Sequence, residues 1–134
     1  MHERRTHRSG TPQEAVHLFL QAVAARHGLE ALALTNEDGL LMAGASTPAG
    51  AGLDLDWIGA VGCVCAVRGR RGPSLGALVE RATGGRHLES AELVVRGERL
   101  YLAGVGATLP KGWAGAEVVA GIERILARSL PAVA

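Results

Sequence analysis

The chain is poor in aromatic residues, in cysteine and in catalytic motifs, and each shortage excludes something. Only Phe19, Trp57, Tyr101 and Trp113 are aromatic, so any core has to be built from aliphatic side chains and alanine. Two cysteines, Cys63 and Cys65, are too few for a disulfide framework, and their spacing is not the Cys-x-x-Cys of redox or zinc sites. Side chains two apart share a face on a strand but diverge on a helix. The pair therefore reads as buried thiols in a reducing, cytoplasmic protein. The uncharged stretch Trp57–Val67 is 11 residues long, short of the roughly 20 needed to span a bilayer, so no membrane insertion is expected. The basic N-terminus has no apolar run directly behind it and does not read as a signal peptide.

Strong charge of one sign is also missing. The net charge is +1, and three arginines against one glutamate in Met1–Arg8 leave the remainder at −1. A near-neutral body lacks the basic face a nucleic-acid partner requires. The five histidines are scattered, and His17 and His27 stand about 15 Å apart on one helix, so no metal site is expected. Asp54 and Asp56 read as helix caps rather than paired catalytic carboxylates. Ser46, Ser74, Ser90 and Ser129 sit in no Gly-x-Ser-x-Gly elbow. The glycine pairs Gly50/Gly52 and Gly104/Gly106 lack the rest of a nucleotide fingerprint, and no Gly-Lys-Ser/Thr follows them. No catalytic residue, cofactor or metal ligand is therefore assigned, and the chain is expected not to be an enzyme.

What is present is a clear run of structural signals. With 134 residues, 48% of them hydrophobic and 20% charged, the chain fits one globular domain. Residues 1–10 read as a flexible, basic tail and residues 11–130 as a single domain. Thr11-Pro12-Gln13-Glu14 starts a helix, with a cap, a proline at the first helical position and a glutamate three residues after the cap. Val16, Phe19, Leu20 and Val23 form its apolar stripe, and Gly28 ends it. A strand over 30–35 and another over 40–46 flank the turn Asn36-Glu37-Asp38-Gly39. Neither strand alternates cleanly, which predicts an inner hairpin of a sheet covered on both faces.

A second helix is expected over 55–67, with Leu55, Ile58, Val61 and Cys65 on one face. The run Arg68–Pro73 breaks the pattern before a shorter helix that starts at Ser74 and closes at Gly84-Gly85; one kinked helix or two both satisfy the sequence. Strands over 87–96 and 99–105 form a second hairpin across Gly97-Glu98. Ala91, Leu93 and Val95 face one way, and Leu100 and Leu102 oppose Tyr101, Ala103 and Val105. A final helix over 113–129 carries Val118, Ile122, Ile125 and Leu126, and Pro131 stops it. The class is α+β, an antiparallel sheet of four or five strands with helices packed on it.

Three features together resemble the Roadblock/LC7 family of dynein light chains and small-GTPase regulators: the helix ending at Gly28 before Ala31–Thr35, the turn Asn36–Gly39 running into Leu40–Ala45, and the element order that follows. The resemblance spans about residues 12–130. It implies a Roadblock/profilin-like fold in the order α-β-β-α-β-β(-β)-α, with the middle helix on one face of the sheet and the first and last helices on the other. The interrupted middle helix and the count of four strands, where the family usually has five, are departures from its pattern.

The resemblance further implies a homodimer, or a pairing with a related Roadblock subunit, through the middle helices and an edge strand. The candidate interface is Trp57, Gly59, Ala60, Gly62, Cys63, Glu92 and Val94. The implied partner is a small Ras-like GTPase, bound by a non-enzymatic regulator or scaffold. Arg68, Arg70 and Arg71 are a solvated loop or a contact for a phosphate or an acidic partner, which arginine binds bidentately. The competing reading is a PAS- or GAF-like small-molecule sensor, which needs a pocket between sheet and helices lined by residues such as Met42, Tyr101 and Leu102.

Overall fold

The computed structural model describes residues 12–68, 73–106, 113 and 115–129. Its elements are α1 (Pro12–His27), β1 (Ala31–Thr35), β2 (Leu41–Ser46), α2 (Leu55–Arg68), α3 (Pro73–Thr83), β3 (His87–Val95), β4 (Glu98–Gly106) and α4 (Ala116–Ser129). The expected tail 1–10, the Thr11 cap, residues 69–72, the connection 109–112 and Pro131 all lie outside the described residues. In the middle of the chain α2 and α3 lie on either side of residues 69–72, which are outside the described residues. The described residues hold four strands, not five.

The four strands form one antiparallel sheet in the order β2-β1-β4-β3. β1 is buried along its whole length, which explains its lack of alternation. The expectation of an inner hairpin holds for β1 alone. β2 lies at the edge, because the long β3–β4 hairpin pairs with the other side of β1. That hairpin closes in two residues, Arg96 and Gly97, both at positive φ (55° and 83°). This is the turn geometry whose twist matches the strands it joins.

The sheet is covered on both sides. On one face Leu32, Leu34, Leu93, Val95, Leu100 and Leu102 pack beneath α1 and α4. The matching residues are Val16, Leu20 and Val23 of α1 and Val118 and Ile122 of α4, joined by Trp113. On the other face Ala31, Ala33, Leu88, Ala103 and Val105 meet Ile58, Val61 and Cys65 of α2 and Ala82 of α3. Every strand residue assigned to a face from the β3 and β4 alternation falls on the expected side.

The last helix starts at Ala116 rather than at 113. The Gly115 carbonyl accepts from the Val118 and Val119 amides at 3.0 and 3.2 Å. Trp113 lies before the helix, with its indole against Gly104; a Cβ there would come within 2.6 Å of the ring. Its Nε1 donates to Glu89 Oε1 at 3.2 Å.

Candidate interaction surface

α2 is set on the sheet by its start and its glycines. Asp54 Oδ1 accepts from the Trp57 amide at 3.2 Å, so Asp54 rather than Asp56 caps the helix. A Cβ on Gly59 would lie 2.6 Å from Thr35 Cγ2, and one on Gly62 would lie 2.5 Å from Ala103 Cβ. Both glycines therefore face the chain's own sheet and let the helix backbone approach it closely. Cys63 is buried too, with its Sγ 3.8 Å from the carbonyls of Asn36 and Glu37. Gly59, Gly62 and Cys63 thus form an inward contact, not the outward small-residue surface expected of them.

The outward strip of α2 is different. Ala60, Val64 and Val67 recur at i, i+4 and i+7, one helical face. Ala60 is half-buried, Val64 is 39% exposed and Val67 is 60% exposed. Trp57 is half-buried, with the Arg81 guanidinium 5.9 Å above its ring. This cation–π contact ties α3 to the start of α2.

The β1–β2 turn abuts this helix. Asn36 Oδ1 accepts from the Asp38 and Leu40 amides at 2.8 and 3.1 Å. Gly39 takes positive φ and lies against Ala60, whose Cα would be 3.7 Å from a Cβ on Gly39. Leu40, the next residue, is 63% exposed.

β3 is the far edge of the sheet. Its alternation places Glu92 and Val94 on the α2 side, and both are exposed. Glu92 pairs with Arg99 at 3.5 Å, an exposed contact of little energetic weight. At the opposite edge, His17 of α1 hydrogen-bonds the Gly44 carbonyl of β2 through Nδ1. An edge strand is a template for pairing, and β3 is such an edge.

Of the arginines singled out, Arg68 is exposed at the end of α2, and Arg70 and Arg71 lie outside the described residues. The surface residues not anticipated are Leu40, Val64 and Val67. For the valines, the signal was available in their spacing from Ala60.

Burial pushes the Cys63 thiol above its ordinary value, and the nearby Asp38 and Glu37 push the same way. The Tyr101 hydroxyl is also raised, by desolvation first and then by Glu92. Neither group is thereby made a nucleophile: a raised thiol is less often a thiolate. Among the described residues no three His, Cys, Asp or Glu side chains come together as a metal site. No described helix is long and apolar enough to cross a membrane.

This arrangement of a four-stranded antiparallel sheet, with one helix pair on each face, is a Roadblock/LC7-type fold. Among solved structures the chain is similar to "MglB with tetrameric arrangement", with 16% sequence identity and a TM-score of 0.58 over 90% of this chain and 94% of that one. No family model matches the sequence, and no curated protein matches it closely.

Proposed function

We propose that the chain is a non-enzymatic regulator or scaffold that binds a small Ras-like GTPase, and that it works as a dimer with itself or with a related Roadblock subunit. The observation that carries this reading is the outward Ala60–Val64–Val67 strip of α2, with Val64 and Val67 exposed, on a fold shared with MglB. Val64 and Val67 on one helix face would offer a partner an apolar contact. The tetrameric arrangement of MglB favours self-association of this chain as well. Regulation by surface complementarity needs no catalytic residue, in keeping with the motifs the sequence lacks.

Light scattering coupled to size exclusion tests the dimer. The native chain should elute as a dimer at micromolar concentration, and Val64→Asp with Val67→Asp should elute as a monomer of unchanged circular dichroism. A native chain that stays monomeric at high micromolar concentration sinks the dimer. Release and hydrolysis of fluorescent guanine nucleotide by a Ras-like GTPase encoded beside this chain, with and without the protein, test the partner. Absence of any binding or rate change removes the GTPase reading.

One observation favours the sensor reading. A groove of about 410 Å³ opens between the sheet and α1/α4, and Met42 lines it. Tyr101 lies on the opposite face of the sheet, and Leu102 is buried without lining the groove.

A further inference from the structure

The two edges of the sheet are built differently. β3 pairs with β4 in unbroken register from His87 to Val95. β2, at the other edge, is shorter, with six residues from Leu41 to Ser46. It is also interrupted: Leu34 pairs with Ala43 and Thr35 with Leu41, so Met42 is an extra residue in the strand. Such a bulge bends its strand and twists an edge away from an incoming neighbour.

β2 is flanked from both helical layers. Gln13, Glu14 and His17 of α1 and Leu55 of α2 gather around Leu41, Ala43 and Gly44. His17 also hydrogen-bonds the Gly44 carbonyl through Nδ1. A carbonyl only accepts, so Nδ1 carries the proton and the imidazole is the donor. Val16 and Leu20, beside His17 on α1, are buried in the core, which fixes the helix from which the ring reaches. A carbonyl already bonded from within its own chain is less available as a template for another strand.

This matters once copies of the chain join at one edge. Two sheets paired through β3 would present a β2 at each outer edge. If those edges paired as well, assembly would not close and would grow into a fibre.

We propose that His17 is the stop of this sheet: by occupying the Gly44 carbonyl beside the Met42 bulge, it confines strand pairing between copies to β3. The part played by β3 rests on the dimer reading; the part played by β2 is tested separately from it.

Light scattering coupled to size exclusion, from micromolar to millimolar concentration, compares the native chain with His17→Ala and His17→Asn. His17 is exposed and alanine is the better helix former, so His17→Ala should keep the native circular dichroism. The native chain should hold one size across the range, and His17→Ala should grow by at least one doubling. His17→Asn, whose Nδ2 lies as many bonds from Cα as the imidazole Nδ1, should keep the native size. Hydrogen exchange in the enlarged assembly should be slowed at Leu41–Ser46 and unchanged at β3. A His17→Ala chain of native size at every concentration overturns the proposal, and so does growth that leaves the β2 amides exchanging as in the native chain. A monomeric native chain removes the β3 dimer but not this prediction: His17→Ala must then still double through β2.

Discussion

The two faces of the sheet are packed by opposite strategies. Under α1 and α4 the strands present Leu32, Leu34, Leu100 and Leu102, and the helices stand off on large side chains. Under α2 and α3 the same strands present Ala31, Ala33 and Ala103, and α2 drops onto them through Gly59 and Gly62. The first face gains its energy from buried area. The second gains it from close backbone approach, which leaves the opposite side of α2 to display Val64 and Val67. The face with the smaller side chains is also the one that carries the candidate interface, whereas the large-side-chain face leaves a groove between sheet and helices.

The difference can be broken from either side. Leu102→Ala, on the large-side-chain face, should cost about 2–5 kcal/mol in urea unfolding, since it leaves a cavity between two helices. A loss below about 1 kcal/mol would mean that α1 and α4 simply settle onto the sheet. On the close face the opposite change is the damaging one: Gly62→Ala adds a single carbon where the Ala103 Cβ already stands and should cost about 1–3 kcal/mol. Adding Ala103→Gly to that variant should recover at least about 0.5 kcal/mol as a coupling between the two sites. Simple additivity would show that α2 is free to move outward.

Cys63 sharpens the comparison through pH. Its folded pKa is raised, chiefly by burial, so the stability it contributes is present below the ordinary thiol value and fades as pH rises through the folded one. Native unfolding free energy should therefore fall at alkaline pH more steeply than that of Cys63→Ala. Equal slopes would place the thiol in contact with solvent. The smallest effect belongs to Arg99→Ala, which removes the exposed pair with Glu92 and should change stability by no more than about 0.5 kcal/mol. A larger loss would show that the β3 edge is organised by charge rather than by backbone pairing.

Much of this architecture is legible in the residues themselves. Pro12 and Gly28 bracket α1, the Asn36–Gly39 turn joins β1 to β2, and the alternation around Leu93 and Leu100 assigns both strands of the second hairpin to their faces. These signals are local, and local physics decides them. The role of Gly59 and Gly62 was not legible. A glycine in a helix looks the same in sequence whether it faces a partner or its own sheet; here Thr35 and Ala103 decide, and they are distant in sequence. The edge position of β2 was hidden for a similar reason. Its residues are apolar enough for an inner strand, and only the pairing of β1 with β4 leaves it outermost.

By itself, the sequence determined the order and nearly the bounds of the elements, the two faces of the β3–β4 hairpin and the absence of recognised catalytic motifs, because periodicity, caps and turn residues act over a few positions. Only the tertiary structure decided which side of α2 is buried, which strand is left open and where a groove remains. Those outcomes depend on how closely distant backbones approach one another, and that distance is set by side chains contributed from opposite ends of the chain.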